Sequence, residues 1–306
     1  MKKILLFLVA TMGLTLPLYA DNPAEEEEVA ELDSTDISEL LAYYTEIYSL
    51  DSAMNYEKGI ITLREGLAIL DLSEDFKYLN PEQSKEIIED YWGNPPQEIL
   101  GMIVPDSVNP FSYYGWAVVI QFEEEGYVED EDAESIDYDE LLLEMKSDVK
   151  SANKEREALG LGGYDLVGWA DAPYYDKETK KLFWAKELSF ADADENTLNY
   201  DVRILGRKGF IRLNAVANMS ELEEVKTDMR TLLTKVNFGP GNTYTDYNPS
   251  TDRVAAYGIG ALVAGKMAAK VGFFKAIGLF LVKGWKFILI GVIAIGAFLK
   301  RIFAGK

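Results

Sequence analysis

From Val254 to Lys306 the chain contains no Asp or Glu, and three apolar blocks are punctuated only by Lys266, Lys270, Lys275, Lys283 and Lys286. Such a stretch does not read as a soluble surface, and a core helix buried in the domain is the alternative to a membrane segment. A helix needs about 20 apolar residues to cross the hydrocarbon of a bilayer. Residues 279–299 meet that length, and Lys300 and Arg301 follow directly. Lys283 and Lys286 lie near one end of this span, from where their stems can reach the headgroups. The segment 254–274 is a second span in the alternative reading, or an interfacial helix. It carries small residues four apart, Gly260, Ala264, Ala268, Gly272 and Ala276, a spacing that lets helices approach closely in lipid.

The rest of the chain has the opposite character. All 52 Asp and Glu lie between Asp21 and Asp252, and the whole chain carries a formal charge of −22. A field of that sign repels nucleic acid, which removes it as a partner. The basic C-terminal segment has the right sign for a membrane surface. The chain has no His and no Cys. Ser-His-Asp triads, thiolate nucleophiles and the usual zinc sites are therefore excluded.

The N-terminus reads as an export signal. Lys2 and Lys3 precede an apolar run from Ile4 to Leu18, and Leu18-Tyr19-Ala20 places cleavage after Ala20. Residues 21–33, with the run Glu25 to Glu28, are expected to be disordered, since they cannot bury enough apolar surface to offset ordering entropy. Export followed by a basic C-terminal end predicts a soluble domain in the periplasm and an inner-membrane anchor over residues 253–306.

Between these ends, residues 34–238 read as one α+β domain, a mainly antiparallel sheet with packed helices. Two lobes split near Gly160 to Gly163 are the alternative. Ile37, Leu40, Leu41, Tyr44, Ile47 and Tyr48 give a first helix an apolar stripe. Strands at 59–63 and 67–72 form a hairpin through Arg64-Glu65-Gly66. Asn80, Pro81 and Gln83 start a second helix as cap, first residue and capping-box partner; Trp92-Gly93-Asn94-Pro95-Pro96 stops it. Strands follow at 99–104 and 115–122. The second is apolar on both faces and reads as central. Asp137 and Glu140 open a long helix whose inner stripe is Tyr138, Leu142, Met145, Val149 and Ala152. A meander then takes strands at 164–170, 181–190, 197–206 and 210–217. In its third strand Tyr200, Val202 and Ile204 alternate with Asn199, Asp201 and Arg203, so one face is expected in the core and one polar. Ser220 and Glu223 read as the capping box of a closing helix with the stripe Leu222, Val225, Met229, Leu232 and Val236. Residues 239–252 have no periodicity and read as a linker to the anchor.

Few side chains stand out for chemistry. Asp130, Glu131 and Asp132 are the candidates for a divalent cation, which prefers several carboxylate oxygens. The spacing is not that of an EF-hand, and a solvated turn explains the run equally simply. Asp192, Asp194 and Asn196 are read the same way. Trp92, Trp116, Trp169 and Trp184 can either line a cleft or fill a core. No glycine-rich phosphate loop or dinucleotide fingerprint is present, so no cofactor is expected.

Several strings in order carry a family resemblance. They include Tyr91-Trp92-Gly93-Asn94-Pro95-Pro96, Trp116-Ala117-Val118-Val119-Ile120, Ile136-Asp137-Tyr138-Asp139-Glu140-Leu141-Leu142, Leu182-Phe183-Trp184-Ala185-Lys186-Glu187-Leu188 and Ala255-Ala256-Tyr257-Gly258-Ile259. Over residues 55–303 the chain resembles the bacterial family of membrane-anchored proteins catalogued as domain of unknown function (DUF) 2167. The resemblance implies export and a C-terminal anchor, and supplies no activity or site residue. The closing helix and strand at 220–238 are also similar to the end of small Mog1/PsbP-like α/β/α sandwiches.

Three functions follow from this reading. The first is a non-enzymatic envelope module that binds an envelope partner or its own copies. The second is a carboxylate-dependent hydrolase acting on envelope material. The third is a small oligomeric channel or transporter accessory built on the C-terminal segment.

Overall fold

A computed structural model describes residues 34–265, except 73, 74, 95, 159–162 and 192. The signal at 1–20, the acidic run at 21–33 and the span at 279–299 lie outside the described residues. The order is α1 (Ser34–Ala53), β1 (Gly59–Leu63), β2 (Ala68–Leu72), β3 (Phe76–Leu79), α2 (Pro81–Lys85), β4 (Gly101–Pro105) and β5 (Val118–Glu123). Then come α3 (Tyr138–Ala158), β6 (Tyr164–Asp176), β7 (Lys181–Phe190), β8 (Thr197–Leu205), β9 (Phe210–Asn218), α4 (Leu222–Lys235), β10 (Val236–Phe238) and α5 (Ile259–Ala264).

Seven strands form one antiparallel sheet in the order β3-β4-β5-β9-β8-β7-β6. A second sheet, β1-β2-β10, is also antiparallel. The domain is therefore α+β with antiparallel sheets and several helices. The large sheet runs unbroken from β3 to β6, so the two-lobe division at 160–163 does not describe it.

The period of two decides what each face meets. Val118, Ile120, Tyr200, Val202, Leu213 and Ala215 face the small sheet and α4, and form the main core with Leu70, Leu72, Val225, Met229 and Leu232. The opposite face is covered at its two ends and not in the middle. At the β3–β5 end, Leu79, Ile87, Ile88, Met102 and Ala117 make one cluster under α2. At the β7–β9 end, Leu182, Trp184, Phe210, Tyr244, Ile259 and Leu262 make another, beside α3 and α5. Strand β5 is thus central and packed on both sides, as its composition required.

Several elements depart from the sequence reading. Strand β3 was not legible: it has four residues, one of them Lys77, yet all are buried. Strand β6 continues to Asp176, past Pro173, with register shifts after Leu166, Trp169 and Asp171. It is an edge strand, where a proline's missing N–H costs nothing. Asn80 caps α2, its Oδ1 accepting from the Gln83 N–H at 3.0 Å. The Gln83 side chain does not return the bond; its Oε1 accepts from the Asn55 N–H at 3.3 Å. Asn80→Ala should cost about 1 kcal/mol in a denaturation curve. The helix then widens into a π turn over Glu86–Tyr91 before it stops.

The capping box before α4 lies two residues earlier than the spacing suggested, on Asn218 and Glu221, because a 3-10 turn precedes the helix. Of the expected stripe Val225, Met229, Leu232 and Val236 are buried and Leu222 is half-buried, and Lys181 Nζ closes the C-terminal end of α4 by donating to the Leu233 and Val236 carbonyls. Among the described side chains of α1 only Ile47 is buried; Leu41, Tyr44 and Tyr48 are exposed. Ala152 of α3 is exposed as well, and Met145 is the buried member of its stripe.

The segment 239–252 is not a free linker. Gly239 N–H bonds to Leu67 O, and Arg207 N–H to Asn242 O. Asp252 accepts from Arg207 Nε at 2.6 Å and Nη2 at 3.0 Å, which holds its carboxyl well below the usual range. Tyr244 is buried, its hydroxyl on Val128 O. Isolated anchors of this kind leave no periodic trace in a sequence.

The reading of 254–274 as a second span is corrected at its first half. Ile259, Leu262 and Val263 are at most 2 % exposed, inside the cluster that holds Trp184 and Phe210. Side chains buried there cannot face lipid. A Cβ at Gly260 would lie 3.7 Å from Asp132 Oδ2 and Ile136, so this member of the small-residue stripe packs inside the domain. Ala264 ends α5 beside Gly265, and Ala268, Gly272 and Ala276 lie outside the described residues. Among the described residues no helix is long and apolar enough to cross a membrane.

Candidate ligand cleft

The uncovered middle of the large sheet is a cleft of about 670 Å³. Its floor is the second face of β5, β9 and β8. Register sets Gln121 opposite Arg212, Val119 opposite Asn214, and Asn199 opposite Val216. One wall is the π turn and the segment just beyond it, with Ile88, Trp92, Asn94 and Gln97. Another is the loop at Ser112, Tyr113 and Gly115, and Phe190 and Thr197 close the far side.

The walls are fixed to their surroundings. Trp92 Nε1 donates to Pro110 O at 3.1 Å, joining the two. Asn109 folds the loop by accepting from Phe111 N–H at 2.9 Å, and its own amide reaches Ile47 O of α1 at 3.1 Å. The Tyr113 N–H bonds to Tyr43 Oη at 2.8 Å. Gly115 is required here, because a Cβ would stand 2.3 Å from Asn109 O.

On the floor, Gln121 is buried and spends its amide on Gln97 Oε1 at 3.0 Å and Glu98 O at 3.2 Å. Asn214 Nδ2 reaches Tyr200 O at 3.3 Å. The Asn199 side chain makes no hydrogen bond to any described residue. Among the described residues no Asp or Glu lines the cleft, although the chain has 52.

Below Arg212 the polar face turns inward. Asp201 is 1 % exposed and Arg203 is 7 % exposed, so two residues read as part of a polar face are in the interior. Asp201 Oδ1 accepts from Arg203 Nη1 at 2.9 Å and Arg212 Nε at 3.3 Å, and Lys186 Nζ lies 3.6 Å from Oδ2. Burial alone would raise the Asp201 carboxyl, but Arg203, Arg212 and Lys186 together hold it well below the usual range. Burial brings the Arg203 guanidinium down to about 10 against the pull of Asp201, so it remains a cation at neutral pH. Burial also lowers Lys186, with Asp201 opposing and the two arginines adding to the shift.

The acidic run selected from sequence is put to structural use. Asp130 Oδ2 accepts from Tyr175 Oη at 2.6 Å and Lys180 Nζ at 2.7 Å, and Oδ1 from Tyr244 Oη at 3.2 Å. Asp132 accepts from the Ile259 and Gly260 N–H groups at 2.9 and 3.1 Å, capping α5. Glu131, between them, is exposed. The three do not converge, and among the described residues no group of three or more acidic side chains could hold a metal. Of the tryptophans, Trp116 and Trp184 fill cores, Trp169 donates to Tyr138 O at 3.2 Å, and Trp92 lines the cleft. The Trp92-Gly93-Asn94 string therefore both stops a helix and shapes a wall.

The residues missed from sequence are Lys186, Gln121, Asn199, Asp201, Arg203, Arg212 and Asn214. The available signal was the alternation of β8 and β9, which puts charged and amide side chains opposite one another in interior strands.

No curated protein matches the chain. Among solved structures, cyanobacterial PsbP (CyanoP) from Synechocystis sp. PCC 6803 is 8 % identical with a TM-score of 0.35, over 58 % of this chain and 91 % of that one. The Saccharomyces cerevisiae Ran-binding protein Mog1p is 8 % identical with a TM-score of 0.31, over 60 % of this chain and 95 % of that one. Likenesses this slight carry no argument about fold or function. A family model described as protein of unknown function (DUF2167) matches residues 55–296, well over half of the chain, and the protein belongs to that family.

Proposed function

We propose that this protein is a non-enzymatic binding module of the bacterial cell envelope. Its domain lies in the periplasm, its apolar C-terminal segment is held in the inner membrane, and its ligand sits in the cleft. The observation that carries the reading is the lining: amides from Asn94, Gln97, Asn199 and Asn214, aromatic rings from Trp92 and Tyr113, one guanidinium from Arg212 and, among the described residues, no carboxylate. Amides supply donors and acceptors together, and aromatic faces supply apolar contact. That combination suits a polar, hydroxyl-rich ligand.

The lining also weighs against the hydrolase. Such an enzyme needs two facing acids. Among the described residues the carboxyls raised by burial are Glu221 and Asp228; neither lines the cleft, and Glu221 is engaged by the Asn218 N–H at 2.9 Å. A channel would rest on residues outside the described ones.

Titration of the full chain in detergent micelles with purified envelope saccharides tests the reading. Asn214→Leu and Trp92→Ala should each weaken binding about tenfold or more, the loss expected when a hydrogen bond or ring contact of ~1.5 kcal/mol is removed. Binding unaffected by both variants would place the ligand elsewhere. A reporter fused after Lys306 should be cytoplasmic; a periplasmic reporter would rule out a single span.

A further inference from the structure

The network beneath the cleft is not balanced. Lys186, Arg203 and Arg212 share the single carboxylate of Asp201. Arg203 and Arg212 lie directly opposite one another on β8 and β9, a placement that ordinarily destabilises a sheet. Glu123 acts on Arg203 at longer range and forms no ion pair with any of the three. In a chain of net charge −22, the bases of this network outnumber its carboxylates three to one, below a cleft with no acid among the described residues of its lining.

The three cations have different roles. Arg203 is sealed in, its guanidinium 5.0 Å from the Trp184 ring and 5.5 Å from the Phe210 ring, and it fixes Asp201. Arg212 lines the cleft with a side chain 31 % exposed. Its Nε is committed to Asp201, and its two terminal nitrogens have no partner among the described residues. Lys186 is 22 % exposed and pairs across the sheet with Asn199, whose amide is also unspent. Asp201 thus holds one edge of the Arg212 guanidinium and leaves the other edge open. A guanidinium fixed in this way is set up to take two oxygens of a carboxylate or phosphate through two parallel hydrogen bonds.

We propose that the ligand of the cleft carries an oxyanion, a carboxylate or a phosphate, on a hydroxyl-rich body, and that Arg212 receives it. The ligand class is an acidic or phosphorylated saccharide. Lys186 supplies the second positive charge and the Asn199 amide orients the group. This assignment rests on the reading that the cleft binds a polar ligand, and goes beyond it by naming the recognised charge.

Calorimetric titration of the full chain in detergent micelles tests it. The probes are a glucuronate-containing oligosaccharide, its methyl ester, a neutral glucose oligosaccharide of equal length, the same oligosaccharide carrying a phosphate, and inorganic phosphate. The expected result is binding of the free acid or the phosphorylated sugar at least tenfold tighter than the ester and neutral forms, weakening as salt rises. Whichever charged probe binds names the source of the oxyanion; inorganic phosphate binding as tightly as the phosphorylated sugar would overturn the saccharide part of the proposal. Arg212→Gln should remove the preference for charge, Arg212→Lys should retain part of it, and Lys186→Gln should weaken it. Should Arg212→Gln unfold, the acid-against-ester and salt comparisons on the unaltered protein still decide. Equal binding of acid, ester and neutral sugar would overturn the oxyanion while keeping the cleft as a saccharide site. Failure of every probe to bind would overturn both readings.

Discussion

Asp201→Ala is expected to destabilise the domain by about 3–5 kcal/mol, the loss typical when one partner of a buried charge network is removed. The substitution leaves Arg203 sealed between two rings with only the Val202 carbonyl at 3.1 Å as an acceptor, and leaves Arg212 and Lys186 facing it. Asp201 and Arg203 are 1 % and 7 % exposed, so neither group is rehydrated without opening the floor. Urea denaturation followed by far-UV circular dichroism measures the change; a loss under 1 kcal/mol would mean that the network is solvated. The same carboxyl gives a pH signature. Its value in the fold is held below the unfolded value of about 3.9. Its contribution is therefore complete above that pH and is lost as pH falls through the lower folded value. Asp201→Asn should flatten that part of the acid-denaturation curve.

The second large effect concerns the end of the domain. Ile259→Ala should cost about 2–5 kcal/mol, the range for truncating a fully buried aliphatic side chain. Ile259 is 0 % exposed, on a six-residue helix too short to persist without its packing. Undocking of α5 sets the upper limit, since once it leaves the core no additional contact is lost. Limited trypsinolysis provides a direct reading: cleavage after Arg253, whose guanidinium donates to Glu124 O at 2.8 Å, should become fast in the variant. If 239–265 were a free linker, neither stability nor cleavage would change. The consequence for function is geometric. The chain reaches Gly265 already fixed to the core through Tyr244, Asp252 and α5.

Much of the scaffold was legible because it depends on local periodicity. The hairpin β1–β2, the two-sided strand β5, the meander β7–β9 and the α4 stripe each follow from side chains spaced by the geometry of their own element. The features that escaped the sequence depended on partners far away along the chain. Lys77 is buried in β3 because Asp51 and the Tyr56 ring meet it, 3.9 and 4.0 Å from Nζ. Tyr244 looks like a loop residue until Val128 and Asp130 are beside it. The cleft was illegible for the same reason. Alternation correctly put Asn199, Asp201 and Arg203 on one face, yet could not say that the covers on that face stop short of one another.

The sequence by itself determined the α+β class, the two-sided central strand, the exclusion of His and Cys chemistry and the apolar, acid-free C-terminal segment. These are properties of composition and of spacing within single elements. Only the tertiary structure decided that 239–265 belongs to the domain, that Asp130 and Asp132 are structural, and that three cations meet one buried carboxylate beneath an open cleft. Each of those depends on contacts between residues tens of positions apart. A side chain's charge is written in the sequence, but the desolvation that gives it consequence arises only when distant strands enclose it.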